Sequence, residues 1–198
     1  MSSAPQYSEQ EQQQLSRQLT ALNDAIQIRQ LDNRPATVEL LCEMHRVIFQ
    51  GVCSHAGQCR GPGRLSEHVC FGPHRSVHRN AVDSELRSAL QRAENQIREL
   101  IPVGRAKERT FAVLDVGIAT HAQIIRIHPF EDGNGRTARA FCDYMFVRGD
   151  IPPIPMEHTK QTYLARLNEY FVTGMKNIAP LRDLYLSSVS LAPAVNRT

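Results

Sequence analysis

Several common carriers of function are missing from this chain of 198 residues. No stretch reads as a secretory leader or as a membrane-spanning run of roughly 18 apolar residues. The expectation is therefore a cytoplasmic protein with no membrane partner, or one carried into another cell by a dedicated secretion machine. Charge is close to balanced, with 23 Lys and Arg against 20 Asp and Glu and a net charge of +3. No run of basic residues accompanies it, so nucleic acid is not an expected partner. Neither a P-loop nor a Gly-x-Gly-x-x-Gly fingerprint occurs, and any nucleotide must be held by other means. With no internal repeat or linker, the length suits one domain with a substantial core.

Cysteine is sparse and odd in number, 5 in all, which favours reduced thiols in a chain too long to need staples. Cys53, His55, Cys59, His68, Cys70, His74 and His78 could supply zinc, but they lack a Cys-x-x-Cys pair and any regular finger spacing. The segment reads instead as a loop with scattered histidines and buried cysteines.

What is present is helical rhythm. After a loose tail over residues 1–7, Ser8 and Glu11 have the form of a capping box. Leu15, Leu19, Leu22 and Ile26 then recur at helical spacing, to an expected end near Leu31. Thr37 caps a second helix with Val38, Leu41, His45, Ile48 and Phe49 on its inner face. Residues 51–80, broken by Gly and Pro, read as a long loop with a β-hairpin near His68, Val69, Cys70 and Phe71. A third helix opens at Asp83 or Ser84, carries Leu86, Ala89, Leu90, Ala93, Ile97 and Leu100, and stops at Pro102 and Gly104. The next runs from about Glu108 through Leu114, Ile118, His121 and Ile125 to His128. Thr159 caps a helix with Tyr163, Leu167, Tyr170, Phe171 and Met175. A last one starts at Pro180 and uses Leu181, Leu184, Leu186 and Val189, with residues 192–198 frayed. This makes an all-α bundle of about seven helices with one hairpin. His45 and His121 read as satisfied core histidines.

The chemistry concentrates in twelve residues, His128 to Arg139, HPFEDGNGRTAR. Pro129 pushes the residue before it out of the α region, so a helix should end at His128. Gly133, Asn134 and Gly135 allow unusual backbone angles and a close approach of N–H groups to a ligand. A new helix starting at Gly135 or Arg136 then presents an anion-binding N-terminus. Arg136 and Arg139 share one helical face, while Ala138, Phe141, Tyr144 and Met145 enter the core. Asp132 would repel a phosphate unless a cation lay between them, which suggests Mg²⁺. The plainer reading is a helix–turn–helix corner with solvated arginines.

The twelve residues resemble the HPFx[D/E]GNGRxxR signature of the Fic family of protein adenylyltransferases. Upstream, His45, Arg46 and Phe49, then Ala56, Gly57 and Arg60, look like that family's HR–F…AG-x-x-R stretch. The resemblance implies a single Fic domain over residues 1–198, a compact helical bundle whose hairpin, about residues 60–80, forms a flap where a target protein docks. It implies AMP transfer from ATP to a Ser, Thr or Tyr hydroxyl. His128 would be the general base and Asp132 the Mg²⁺ ligand. Backbone N–H groups of Gly133, Asn134 and Gly135, with the Asn134 side chain, would hold the α-phosphate, Arg136 the β-phosphate and Arg139 the γ-phosphate. Phe130 would anchor the loop from beneath. The related Doc kinases carry Ala and Lys in place of Gly133 and Gly135, so both glycines favour AMP transfer over phosphate transfer. Many members also bear an inhibitory [S/T]-x-x-x-E-[G/N] helix, which this sequence lacks; its nearest approach is Thr20 with Asp24 and Ala25. Restraint by a small antitoxin whose glutamate reaches Arg139 is the corresponding expectation, a delivered effector the other. A catalytically silent peptide-binding module, or an enzyme using another nucleotide or phosphate donor, stays as the alternative.

Overall fold

The structure is a computed structural model that describes residues 7–63, 65–71, 73–100, 107–155 and 158–191, the side chains of 107 and 189–191 excepted. Seven α-helices occur among the described residues: α1 (Glu9–Gln27), α2 (Val38–Phe49), α3 (Val82–Leu100), α4 (Lys107–Ile127), α5 (Asn134–Arg148), α6 (Lys160–Val172) and α7 (Ala179–Leu191). Between α2 and α3 the hairpin pairs β1 (Cys70–Phe71) with β2 (His74–Arg75), antiparallel, Cys70 opposite Arg75 and Phe71 opposite His74. The all-α bundle expected from the sequence is the fold.

Helix starts follow local chemistry. Ser8 and Glu11 close the capping box of α1, while the Thr37 and Thr159 hydroxyls accept the first free N–H groups of α2 and α6. Ends depart further from expectation. Helix α1 stops at Gln27, short of Leu31, because Arg29 takes a φ of +62°. The Arg29 and Gln30 N–H groups then bond back to the Ile26 and Ala25 carbonyls, a Schellman turn without glycine. Helix α3 starts at Val82, after a 3₁₀ turn over Arg79–Ala81 capped by His78. Pro102, Gly104 and residues 192–198 lie outside the described residues, as does the Val189 side chain.

Helices α4 and α5 form the centre, with α3 on α4, α1 and α2 over α5, and α6 and α7 closing the far side. Val113, Ile118, Ala122, Ile124 and Ile127 of α4 are fully buried, as are Ala138, Phe141 and Met145 of α5. The two helices approach so closely that a Cβ at Gly117 would stand 2.5 Å from Phe146 Cε1. By length and apolarity alone α4 could cross a membrane; here its apolar side chains are the core of the bundle. Glu94 of α3, buried, joins Arg148 of α5 (Nη2 to Oε1, 3.1 Å) and the Ala36 N–H (2.7 Å), locking three elements together.

Within the Cys/His-rich segment, no three His, Cys, Asp or Glu side chains converge on a point among the described residues. The cysteines are less buried than expected: Cys53 and Cys59 are half-buried and Cys70 is exposed. Two of its histidines have structural partners. His68 Nδ1 lies 2.9 Å from the Ser76 carbonyl, and His74 Nε2 lies 2.8 Å from Asn168 Oδ1.

Candidate active site

Helix α4 delivers the residue just past its end into the site. His128 follows Ile127 with a φ of +55°, a left-handed conformation that ends the helix one residue before Pro129. Its N–H still reaches the Ile124 carbonyl at 2.9 Å, and its Nδ1 lies 3.1 Å from the Ile125 carbonyl. A carbonyl can only accept, so Nδ1 carries the proton and Nε2 keeps a lone pair. Burial pulls the imidazole down to about 4, against a favourable contribution from the Ile125 carbonyl, so the ring is neutral at pH 7.

The turn after it is built on stacked rings. Phe130 is fully buried against His45, with ring centroids 3.8 Å apart, and His45 stacks in turn on Phe49 at 4.6 Å. His45 accepts the Gly57 N–H at Nδ1 (2.8 Å), so its Nε2–H donates to the Asp132 carbonyl (3.0 Å). The core histidine expected at 45 thus supports the candidate metal ligand from behind. Of the three residues expected to take unusual angles, only Gly133 does, at φ +79°. A Cβ there would lie 2.3 Å from Phe49 Cε2. Asn134 and Gly135 are already helical, so α5 begins earlier than the expected Gly135 or Arg136.

The Asn134 side chain has a structural task that its expected place on a phosphate does not suggest. It is buried and turned inward, accepting the Phe130 N–H and donating to the Phe130 carbonyl, both at 2.9 Å. This amide staples the turn. The N–H groups of Asn134, Gly135 and Arg136 precede the first intrahelical bond, from Thr137 to the Gly133 carbonyl (3.0 Å), and form the helix's free donor end.

His128, Asp132, Gly133, Asn134, Gly135, Arg136 and Arg139 all line one cavity of about 640 Å³. The candidate base, the candidate metal ligand and the candidate phosphate-binding residues thus share one cavity. A smaller chamber of about 230 Å³ adjoins Arg136 and Arg139, bounded by Leu19 and Asn23 of α1 and by Asp143. Burial pushes the Asp143 carboxyl up to about 7, which leaves it a weak counter-charge for Arg139.

Three contributors are not among the site residues expected from the sequence. Tyr7, assigned to the tail, is ordered: its hydroxyl donates to Asp132 Oδ2 and its ring lies 5.7 Å from the Arg136 guanidinium. Burial, then the Asp132 carboxylate, push this phenol well above its ordinary value, so it keeps the proton it donates. Phe71 of β1 stacks on the His128 ring. Arg60 is the third, visible only within the AG-x-x-R resemblance. Its buried guanidinium donates to the Ile127 and His128 carbonyls (3.1 and 2.8 Å), capping the negative end of α4. It also reaches the carbonyls of Ser66, Glu67 and Val77, which ties the flap to the base.

A model of the Fic/DOC family matches residues 35–146. Over 50 residues the chain is 42% identical to a protein adenylyltransferase, fic-1, of Caenorhabditis elegans, covering 24% of this chain and 10% of that protein. Over 77 residues it is 46% identical to a uridine 5'-monophosphate transferase of Xanthomonas campestris pv. campestris, covering 39% of this chain and 13% of that one. The matched stretch is thus a small part of either relative. A Fic-domain signaling protein of Bacteroides thetaiotaomicron superposes with a TM-score of 0.70 over 97% of this chain and 74% of its own, at 21% identity.

Proposed function

Since the chain belongs to the Fic/DOC family, we propose that it transfers a nucleoside monophosphate, AMP first of all, from a nucleoside triphosphate to a hydroxyl of a target protein. One observation carries the reading. A neutral imidazole, a carboxylate, a free helix N-terminus and two arginines face one cavity large enough for a nucleotide.

In this reading the target's Ser, Thr or Tyr side chain enters beside the flap. His128 Nε2 takes the hydroxyl proton as the oxygen attacks the α-phosphorus; the bond to the β-phosphate oxygen breaks and pyrophosphate leaves. The N–H groups at the start of α5 hold the α-phosphate oxygens as charge builds. Arg136 takes the β-phosphate and Arg139 the γ-phosphate. No group of three or more His, Cys, Asp or Glu side chains gathers at Asp132 among the described residues. A single carboxylate suits Mg²⁺, which takes its remaining ligands from phosphates and water. Bound there, the ion would neutralise phosphate charge.

The Xanthomonas relative, 46% identical over 77 residues, is named for uridine 5'-monophosphate transfer. Uridylyl transfer is the second reading. Regulation by a separate inhibitor that engages Arg139 belongs to the same proposal, as does a cytoplasmic or delivered site of action. Incubation of a target protein mixture with α-labelled ATP, α-labelled UTP and γ-labelled ATP distinguishes the readings. Protein-bound α-label that disappears in His128→Ala is the expected result. Label from the γ-position alone would mean phosphate transfer; no label in any arm would mean a binding module.

A further inference from the structure

Cys42 lies on α2 and Cys59 in the loop that follows, and their sulfurs are 3.2 Å apart. A disulfide bond measures about 2.05 Å, so closing this pair takes a movement of roughly 1 Å. The loop is pressed onto α2 at this place. The Gly57 N–H donates to His45 Nδ1 at 2.8 Å, and a Cβ at Gly57 would stand 2.9 Å from the Cys42 carbonyl oxygen. Both thiols are half-buried, within reach of a small oxidant, whereas Cys142 is buried in α5 and Cys70 stands alone on the hairpin surface. The hydrogen bond with Cys59 outweighs burial and the Glu39 carboxylate and lowers the Cys42 thiol from its ordinary value, which favours the reactive thiolate.

We propose that Cys42 and Cys59 form a redox-modification site, a dithiol that a hydroperoxide converts to a disulfide. The Cys42 thiolate attacks the peroxide oxygen; the O–O bond breaks, leaving a sulfenic acid on Cys42 and, with peroxide, one water. The Cys59 thiolate then attacks the Cys42 sulfur, the S–O bond breaks, a second water leaves and the S–S bond forms. Two thiols lose two electrons and two protons, and hydrogen peroxide becomes two waters. Position gives the bond its effect. Helix α2 carries the His45 and Phe49 rings beneath the Asp132 turn, and Cys59 precedes Arg60, which holds His128. Oxidation would fasten one support of the site to the other.

The test is peptide mapping of the chain after titration with hydrogen peroxide, in a Cys70→Ser background that removes the exposed thiol. A Cys42–Cys59 disulfide reversed by dithiothreitol is expected, with a melting temperature raised by about 5–10 °C, the shift a cross-link over a loop of this length implies. Cys59→Ser should instead accumulate a Cys42 sulfenic acid that a dione probe captures. Reduced Cys42 and Cys59 at peroxide levels that oxidise Cys70 in the unmodified chain would overturn the proposal. So would sulfinic or sulfonic acids on the two cysteines in place of the cross-link.

Discussion

The ring of Phe71 lies flat on the imidazole of His128, with centroids 4.7 Å apart and planes 5° from parallel. The contact joins the flap to the candidate base. Phe71 is itself steadied by Phe171 of α6, edge-on at 6.3 Å, and its strand partner His74 is bonded to Asn168 of the same helix. A flap held this way covers one face of the imidazole and contributes to the burial that keeps it neutral.

Phe71→Ala should therefore raise the His128 pKa from about 4 toward the ordinary histidine value, because burial is the leading cause of its depression. An NMR titration of the imidazole reads this directly. Transfer should fall by up to about tenfold, in line with roughly 0.5–1.5 kcal/mol for an aromatic stack. An unmoved titration would show that the stack is incidental.

Gly133 and Gly135 make opposite predictions. Gly133→Ala puts a side chain at φ +79° and 2.3 Å from Phe49, and should cost about 2–4 kcal/mol of stability together with the turn's shape. At Gly135 a Cβ meets nothing nearer than Arg139 Nη1 at 3.6 Å, so Gly135→Ala should leave the melting temperature level or slightly raised, as expected of alanine in a helix. Thermal melts of the two variants side by side decide it.

That contrast marks where the sequence is legible. Helix starts can be read from Ser8, Thr37 and Thr159 because a cap acts over three residues. The reactive stretch can be read because its chemistry is contiguous from His128 to Arg139. What supports it cannot. Tyr7 meets Asp132 across 125 positions and Arg60 meets His128 across 68, contacts that no local spacing encodes. The Asn134 amide shows the same limit: its polarity suggests a ligand, and only the fold shows that it also staples the turn through Phe130.

Acid should unfold the protein in two overlapping stages. Burial holds His45 and His128 at about 4 and His121, between Tyr163 and Tyr185, at about 3. Their unfolded forms take up protons first, so stability falls as pH drops below about 6.5 and goes on falling to about 3. Burial would raise Glu94, but Arg148, the Ala36 N–H and Arg98 outweigh it and hold the carboxyl at about 2. Its contribution is intact above about 4.5 and disappears toward pH 2. Denaturant melts across pH 2–7 should show both, and Glu94→Gln should remove only the lower stage while weakening the fold throughout, by about 3 kcal/mol or more for an uncompensated Arg148.

Asn23 offers a way to place a brake on Arg139. It borders the small chamber with Arg139 and has a buried side-chain oxygen without a partner, whereas Asp24, the acid of the sequence's nearest inhibitory match, is exposed. Asn23→Glu should set a carboxylate beside Arg139 and reduce nucleotide affinity about tenfold, and Asn23→Gln should not. Calorimetric titration with a non-hydrolysable triphosphate measures it. Equal affinities for the two variants would place the γ-phosphate away from Arg139.

Tyr7 competes with any cation for Asp132. Its hydroxyl donates to Oδ2, the Gln12 side chain holds its carbonyl at 2.8 Å, and the capped start of α1 fixes the segment one residue later. A hydrogen bond to a carboxylate contributes about 1.5–3 kcal/mol when well sheltered and less at a half-buried site such as this one. Tyr7→Phe removes the bond and keeps the ring against Arg136, so the packing of α1 is preserved. Mn²⁺ affinity in the presence of a nucleotide, followed by paramagnetic relaxation of water protons, should rise about three- to tenfold. Tyr7→Ala would also open the cavity beside Arg136, so only the phenylalanine variant isolates the hydroxyl. If Mn²⁺ binds wild type and Tyr7→Phe alike, the phenol moves aside at no cost and leaves Asp132 free for a cation.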